Sequence, residues 1–352
     1  MAKRKTLPKD FDELLKTASL DELKAVFDRC LIDARGGYSK GTAIGFVDCP
    51  DGLIVWLVEQ GLDVNAGDSY DATPLWERAW FGRAEQIPLL LSLGADLERP
   101  RRHGGGPLHA AAGSQKPEAT RVLVEHGARI DALDSAGMTP LLAGLRGTEN
   151  IGIPGMVEVA EILLVAGETV TPAMRQAVER IGHRFEFHRS NFNPAHLAET
   201  DAALARLYEL FGVTPVPGRT LHDGSAPIVV PKGSWRQRYD ALWQLLVPSS
   251  GPAATLQGEI IRVTGKLSRE ILGNGSINWH RDFRAMLTAL PSYLGQGVAL
   301  APSEIVEAEL ICRELRSGGG DEGQLDRLAE LAVSWVTANP TPLPRPALSY
   351  DR

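Results

Sequence analysis

The sequence has few of the residues that mark a secreted, metal-binding or membrane-spanning protein. Its three cysteines, Cys30, Cys49 and Cys312, are odd in number and widely scattered. This pattern excludes a disulfide framework and favours a reducing, cytoplasmic environment. No CxxC motif or His–Cys cluster occurs, so we expect neither a metal site nor a cofactor. No apolar run approaches the ~20 residues that a membrane-spanning helix needs, and the first residues do not open a signal peptide.

The charge and the polar residues argue against two more classes of protein. A formal net charge of −7 at pH 7 opposes general binding to nucleic acid, because phosphates repel an acidic protein. The acidic residues and histidines of the second half show neither a nucleophile–base arrangement nor the spacing of paired catalytic carboxylates. We therefore expect a non-enzymatic protein with no catalytic residues and no membrane or nucleic-acid ligand.

A 33-residue period runs through the first half of the chain. It is kept by a proline before a leucine and by a glycine after an apolar run, namely Pro74, Pro107 and Pro140, and Gly61, Gly94 and Gly127. Two independent markers in phase indicate a repeat protein. A single repeat cannot bury its apolar face alone, so neighbouring repeats must stack. The resulting continuous surface favours binding over catalysis.

Residues 100–132 carry the fullest set of motifs. They are Gly106-Pro-Leu-His-Ala-Ala-Ala112, Glu118-Ala-Thr-Arg-Val-Leu-Val124 and Gly127-Ala-Arg-Ile-Asp-Ala132. This segment resembles the ankyrin repeat, a pair of helices followed by a hairpin tip. Each part has a physical role: proline presets the first helical turn, and a preceding threonine caps it. Small alanines let the helices approach, and glycine ends the second helix in a left-handed conformation.

The resemblance implies an all-α fold, an ankyrin solenoid with short β-hairpin tips followed by a small helical domain. The period places the array at residues 10–212, with clear repeats at 67–167 and degenerate caps at both ends. At the N-terminal end, a helix over 20–27 precedes 30–34 as a polar-faced cap. At the other end, helices over 172–181 and 194–211 complete the array.

Two insertions interrupt this array. The interval between the marker glycines lengthens to 40 residues between Gly127 and Gly167. The extra residues fall within 146–155, which we interpret as a loop between two helices. A second, polar insertion over 182–193 separates the two helices of the final cap. Insertions in repeat arrays map to loops on one face, which is often functional.

The repeat register also selects candidate binding residues, since the resemblance implies that hairpin tips and inner helices hold the partner. The candidates are Tyr70, Trp80, Phe81, Arg101, Arg102, His103, Met138 and Arg146. Tryptophan and arginine are over-represented among interface hot spots. Alternatively, Trp80 packs under the neighbouring hairpin, and the basic tip is a solvated loop paired with acidic neighbours.

Two further residues of the 100–132 repeat, Arg101 and His109, occupy motif positions with a structural role in the family. Arg101 stands where the family has aspartate, which leaves the aspartate-mediated turn of that tip in question. His109 occupies the motif histidine, and the resemblance implies that it bonds backbone between repeats.

Beyond residue 212 the period stops. Residues 213–232 hold four prolines and two glycines and indicate a linker. Helical stretches then predict an all-helical domain over 233–339, and the proline-rich residues 340–352 predict an extended tail. The segment 247–280 resembles a helical module of bacterial proteins to which no activity is assigned.

That module holds an unusual group of polar residues, Gln257, Glu259, Arg262, Asn274 and Asn278. Glu259 and Arg262 share one helix face at i, i+3 spacing. One interpretation is a structural network that joins the helix start to the following turn. The alternative is a polar pocket that serves an enzyme or a small-ligand sensor.

The sequence leaves three functional hypotheses open. The first is an interaction scaffold that binds another protein, including an immunity or neutralising partner of a toxin, which rests on analogy. The second is the enzyme or ligand sensor with the polar pocket. The third is a structural module that needs an oligomeric partner.

Overall fold

The computed structural model describes residues 2–350, which divide into two compact units. The first unit comprises the chain up to Phe185 together with Asn193–Val216. The second comprises Glu186–Phe192 together with the chain from Pro217 onward. The predicted class, an all-α repeat solenoid followed by a helical domain, is confirmed by the helix pattern of these units.

Eleven helices begin before residue 212 in the described chain. They are α1 (Phe11–Thr17), α2 (Leu20–Arg29), α3 (Asp51–Glu59), α4 (Pro74–Phe81), α5 (Ile87–Ser92), α6 (Pro107–Gly113), α7 (Pro117–Glu125), α8 (Pro140–Gly147), α9 (Ile153–Val165), α10 (Pro172–His188) and α11 (Pro194–Phe211). The prolines that carry the 33-residue period all open inner helices, α4, α6 and α8. Thr73 and Thr139 cap two of these helices, as the sequence predicts.

The marker glycines end or follow the outer helices with positive φ angles. Gly61, Gly94, Gly127 and Gly167 have φ values of 93°, 94°, 88° and 108°. These angles lie in the region that side-chain-bearing residues avoid, so the prediction of left-handed helix ends is confirmed.

Small residues permit the close stacking of the inner helices. Helix α6 lies between α4 and α8, and its residues Ala110, Ala111 and Ala112 are fully buried. An added Cβ at Gly144 of α8 would lie 2.9 Å from the Ala112 carbonyl oxygen. The outer helices α5, α7 and α9 pack in a second layer through leucine, isoleucine and valine side chains.

The N-terminal cap contains a small sheet that the sequence analysis did not predict. Its strands are β1 (Arg4–Thr6), β2 (Cys30–Gly36) and β3 (Gly41–Thr42), in the order β1-β2-β3. Strand β2 is parallel to β1 and antiparallel to β3. The predicted helix is present as α2 with a Ser19–Glu22 capping box, and β2 follows it directly.

The insertion over 146–155 adds helix rather than an open loop. A short 3-10 turn covers Asn150–Gly152, and α9 begins at Ile153 with Pro154 in its first turn. An added Cβ at Gly155 would lie 2.9 Å from the carbonyl oxygen of Gln115. The absent side chain therefore lets the extra turn pack against the preceding repeat.

The polar insertion over 182–193 is likewise largely helical. Helix α10 runs on to His188, so the predicted break at Gly182 is wrong. The glycine serves helix packing instead, because an added Cβ there would lie 1.9 Å from the Tyr208 hydroxyl of α11.

The second unit is a bundle of five helices with α13 at its centre. They are α12 (Trp235–Leu246), α13 (Leu256–Ser268), α14 (Arg281–Leu294), α15 (Pro302–Glu314) and α16 (Glu322–Ala338). Every residue of α13 from Leu256 to Thr264 is buried, because α12, α14 and α16 surround it. A π-helical turn over Arg269–Gly273 continues α13. The residues after Asn339 are extended, and Pro344 forms an isolated bridge with Thr255.

Candidate protein-binding face

Backbone hydrogen bonds join the hairpin tips of neighbouring repeats into one row. The amide of Ser69 donates to the carbonyl of Ser39 at 2.8 Å, and that of Arg102 donates to Tyr70 at 2.9 Å. The next tip continues the row with Ser135 bonded to Gly104 at 3.3 Å. The tips therefore form a continuous and mutually supported surface.

Aspartates fix the turns on either side of the tip that holds Arg101, which we call the middle tip. The Asp68 carboxylate accepts the amides of Tyr70 and Ala72 at 2.8 and 3.0 Å. Asp134 accepts those of Ala136 and Met138, both at 2.8 Å.

The middle tip keeps its turn without a carboxylate. At that tip the backbone alone closes the turn, since Gly104 donates to the Arg101 carbonyl at 3.2 Å. The Arg101 side chain is thus free of a turn-forming role.

Arg101 instead sits against aromatic rings. Its guanidinium carbon lies 5.6 Å from the ring centre of Tyr70 and 4.9 Å from that of Trp76. Trp76 in turn stacks on Trp80, with ring centres 5.2 Å apart and planes 12° apart. The indole nitrogen of Trp76 donates to the Gly105 carbonyl at 3.1 Å. Trp76 therefore packs under the neighbouring hairpin, and Trp80 stays 40% exposed above it.

Tyr38 lies near Tyr70 and was missed by the sequence analysis. It is 92% exposed, and the interaction of its side chain with that of Tyr70 raises the pKa of Tyr70. The first repeat lacks the Thr-Pro-Leu signature, so no motif marks its tip. Counting the 33-residue register back from Tyr70 to residue 37 could have found it.

The remaining candidates lie outside the stack. Phe81 is 53% exposed at the end of α4, and Arg102 is ion-paired to Asp71 at 2.9 Å. The half-buried Met138 receives a contact from Arg146 at 3.6 Å. His103 is exposed at the middle tip. We use "the candidate face" for Tyr38, Tyr70, Trp76, Trp80, Phe81, Arg101, Met138 and Arg146.

Comparison with known proteins identifies part of the array. Residues 108–164 match the family model described as ankyrin repeats (many copies). The chain contains ankyrin repeats. The helix pairs, left-handed glycines and hairpin tips that precede the matched segment keep the same register.

Curated relatives match about a third of the chain. The chain is 34% identical to the E3 ubiquitin-protein ligase Ufd4 of Drosophila melanogaster over 112 residues, 32% of this chain and 4% of that protein. It is 30% identical to Neurogenic locus notch homolog protein 1 of Xenopus tropicalis over 125 residues, which are 35% of this chain and 5% of that protein. It is 29% identical to human Ankyrin repeat and SOCS box protein 16 over 133 residues, which are 38% of this chain and 28% of that protein. The chain thus spans under a third of each relative.

His109 of the ankyrin motif lies where the resemblance implies. Its Nε2 atom is 3.0 Å from the Met138 carbonyl oxygen of the next tip, and the side chain is buried. The imidazole therefore links two repeats of the array.

The five residues of the polar-pocket alternative do not come together. Gln257, Glu259 and Arg262 are 0%, 0% and 1% exposed inside the second unit. The amide of Asn274 and the backbone of Asn278 instead contact the Glu270 carboxylate, at 3.0 and 2.6 Å. A groove of about 490 Å³ on this unit includes Trp235, Tyr239 and Trp243 in its lining, and none of the five.

The buried group holds the chain's last described residues. The side-chain amide of Gln257 donates to the carbonyls of Asn339 and Thr341 at 2.9 and 2.7 Å. Its oxygen accepts the Leu343 amide at 3.0 Å. Tyr350 donates to Glu259 at 2.8 Å, and burial, reinforced by this carboxylate, raises the pKa of Tyr350 far above its usual range. The network therefore joins the helix start to the tail, and not to the turn after α13.

Neither a membrane-spanning helix nor a metal-binding cluster is present in the described part of the chain. No helix within residues 2–350 is both long enough and apolar enough to span a bilayer. Over the same residues, no group of three or more His, Cys, Asp or Glu side chains is arranged to hold a metal ion.

The middle tip offers a test of backbone strain. His103 has a φ of 55°, and Gly137, which lies within the Asp134 turn, has a φ of 73°. A side chain at positive φ is strained, so we expect His103→Gly to stabilise the ankyrin array by about 0.5–1 kcal/mol. Gly137→Ala should destabilise it by a similar amount. Urea unfolding measures both; equal stabilities for His103→Gly and the wild type would contradict the strain.

Proposed function

We propose that the chain is a non-enzymatic protein-interaction scaffold whose ankyrin array binds another protein through the candidate face. The observation that carries this proposal is the stack of Tyr70, Arg101, Trp76 and Trp80, which holds exposed aromatic surface on a rigid helix and hairpin. Preordered aromatic and arginine side chains lose little conformational entropy on binding, which is why such residues form hot spots.

The stack favours a protein ligand over a small molecule. The rings of Trp80 and Phe81 are 40% and 53% exposed at the end of α4, and do not lie in an enclosed cavity. Small-molecule sites are concave and bury most of their ligand. Within this role, a cytoplasmic location and an immunity or neutralising activity toward a bacterial partner are further proposals. The first follows from the scattered cysteines, and the second rests on analogy.

The alternative of an enzyme or ligand sensor in the second unit has less support. Its key residues Gln257, Glu259 and Arg262 are buried and already engaged with one another or with the tail. A substrate would have to displace the tail to reach them.

Photo-cross-linking in the native cells tests the proposed function. A benzoylphenylalanine placed at Phe81 should trap a discrete protein, and one placed at Val165, which is 90% exposed on α9, should not. Trp80→Ala should weaken binding of the trapped protein at least tenfold, as expected for a hot spot. Equal cross-linking at both positions, or none at Phe81, would remove the case for this face.

A further inference from the structure

Three cationic side chains on or beside the candidate face have no carboxylate partner. Lys40, Arg101 and Arg146 have no carboxylate within the 4.0 Å limit of an ion pair among residues 2–350. Lys40 is exposed at a tip, and Arg146 is exposed at the end of α8. Positive charge is therefore available in three separate repeats.

The acidic residues of the same tips are already engaged. Asp68 and Asp134 accept backbone amides within their own turns, and Asp71 is paired with Arg102. Glu77 of α4 is half-buried, and this desolvation raises the pKa of its carboxyl. The face thus presents unpaired positive charge although the whole chain carries −7.

Arg101 is the best-placed of these cations. The rings of Tyr70 and Trp76 hold its guanidinium at 5.6 and 4.9 Å, and such contacts leave the edge of the guanidinium able to donate. A planar guanidinium that is already oriented can bind a carboxylate through two parallel hydrogen bonds with little loss of entropy. The rings of Tyr38, Trp80 and Phe81 nearby provide apolar surface for the same ligand.

We infer that the candidate face recognises an acidic segment of the partner protein, with Arg101 binding a carboxylate and the exposed rings packing against a large apolar side chain. This inference rests on the proposed function and specifies the chemistry of the partner. A carboxylate-bearing peptide fits better than nucleic acid, because a chain with a net charge of −7 repels a dense polyanion over long range.

The test uses a displayed library of random 16-residue peptides, selected on the full chain and counter-selected on Trp80→Ala. Enriched peptides should contain several Asp or Glu and at least one aromatic or large aliphatic residue. A synthetic copy with Gln and Asn in place of the acids should bind at least tenfold more weakly in fluorescence anisotropy. The affinity of the acidic peptide should also fall as salt rises.

Matched charge variants separate a direct contact from a general effect. Arg101→Gln should weaken the acidic peptide about tenfold and leave its neutral copy unaffected. Arg121→Gln removes the same charge from α7, where the side chain is exposed and paired with Glu118, and should change neither affinity. Circular dichroism of both variants checks that each is folded.

The outcomes distinguish this inference from the proposed function. Face-dependent peptides that are neutral or basic, or that bind equally after Gln replacement, overturn the inference and leave the protein-binding role intact. Tighter face-dependent binding of a 15-nucleotide oligo(dT) overturns it as well. Where no peptide is enriched, mass spectrometry maps the partner segment that is cross-linked at Phe81. An acidic segment supports the inference, and a neutral or basic segment overturns it. If neither the peptide selection nor the cross-linking at Phe81 yields a ligand, the proposed function and the inference are both wrong.

Discussion

Glu259→Ala is expected to destabilise the second unit by about 3–5 kcal/mol, because it leaves the Arg262 guanidinium charged and buried. The two side chains form a bidentate ion pair at 2.8 and 2.6 Å, with exposures of 0% and 1%. The carboxylate also accepts the Ala253 amide at 3.1 Å and the Tyr350 hydroxyl at 2.8 Å. Each of these buried donors loses its partner in the variant.

Urea unfolding of the full chain, with hydrogen exchange of the α13 amides as a local readout, measures this loss. Glu309→Ala on α15 is the matched control, since Glu309 is exposed, and we expect a change within about 0.5 kcal/mol. The double variant Glu259→Leu/Arg262→Met should be more stable than Glu259→Ala, because no buried charge remains. Similar unfolding midpoints for Glu259→Ala and Glu309→Ala would contradict the buried ion pair.

The regular part of the fold could be predicted from the sequence because each repeat encodes it locally. Proline fixes φ at the first turn of α4, α6 and α8, and glycine supplies the left-handed residue that ends the outer helices. These requirements depend on one residue and its neighbours in the chain. They are therefore visible as a period before any tertiary contact is known.

The departures from prediction all arise from long-range contacts. Strand β2 forms because β1, 24 or more residues earlier, pairs with it. The sequence predicts that a helix ends before Gly182, yet α10 continues through it. The glycine is needed for packing, because Tyr208 of α11 occupies the space that a side chain would fill. The tail after Asn339 lies along α13 because Gln257 binds its backbone. No local pattern signals these pairings.

The candidate face was predictable only in part for the same reason. The repeat register placed Tyr70, Trp80 and Arg101 on one side of the array, and the structure joins them through Trp76. Tyr38 lies in a repeat without a motif. The polar residues of α13 suggested a pocket because the sequence shows their polarity and spacing. The sequence does not show that the distant tail covers them.

Arg78→Ala is expected to destabilise the ankyrin array by about 3 kcal/mol, although alanine stands at the equivalent position, Ala111, in the next repeat. The Arg78 side chain is fully buried. It donates to the Gln86 side chain at 2.5 Å and to the Ile44 carbonyl at 3.1 Å. The side-chain nitrogen of Gln86 in turn donates to the Cys49 carbonyl at 3.0 Å and to the Asp51 carboxylate at 2.6 Å. The guanidinium therefore ties α4 to two neighbouring segments.

Two opposing effects set the size of this loss. Burial lowers the pKa of Arg78, and no carboxylate is paired with it in the described chain, so removing the charge relieves some desolvation cost. Against this, the variant leaves a cavity of several methylene groups, which costs about 2–4 kcal/mol. It also leaves two buried acceptors without their donors, at about 1–3 kcal/mol each. The cavity and the acceptors outweigh the relief.

Thermal and urea unfolding of Arg78→Ala, compared with Arg83→Ala, checks this balance. Arg83 is exposed and paired with Asp48 at 2.7 Å, and loss of such a surface pair should cost no more than about 1 kcal/mol. Arg78→Met restores the aliphatic stem without the donors, so it should lie between wild type and Arg78→Ala. A stabilised Arg78→Ala would mean that desolvation of the unpaired guanidinium exceeds the contribution of its hydrogen bonds. Because α4 also carries Trp76 and Trp80, the destabilising variants should weaken binding at the candidate face by loosening the helix on which both rings are held.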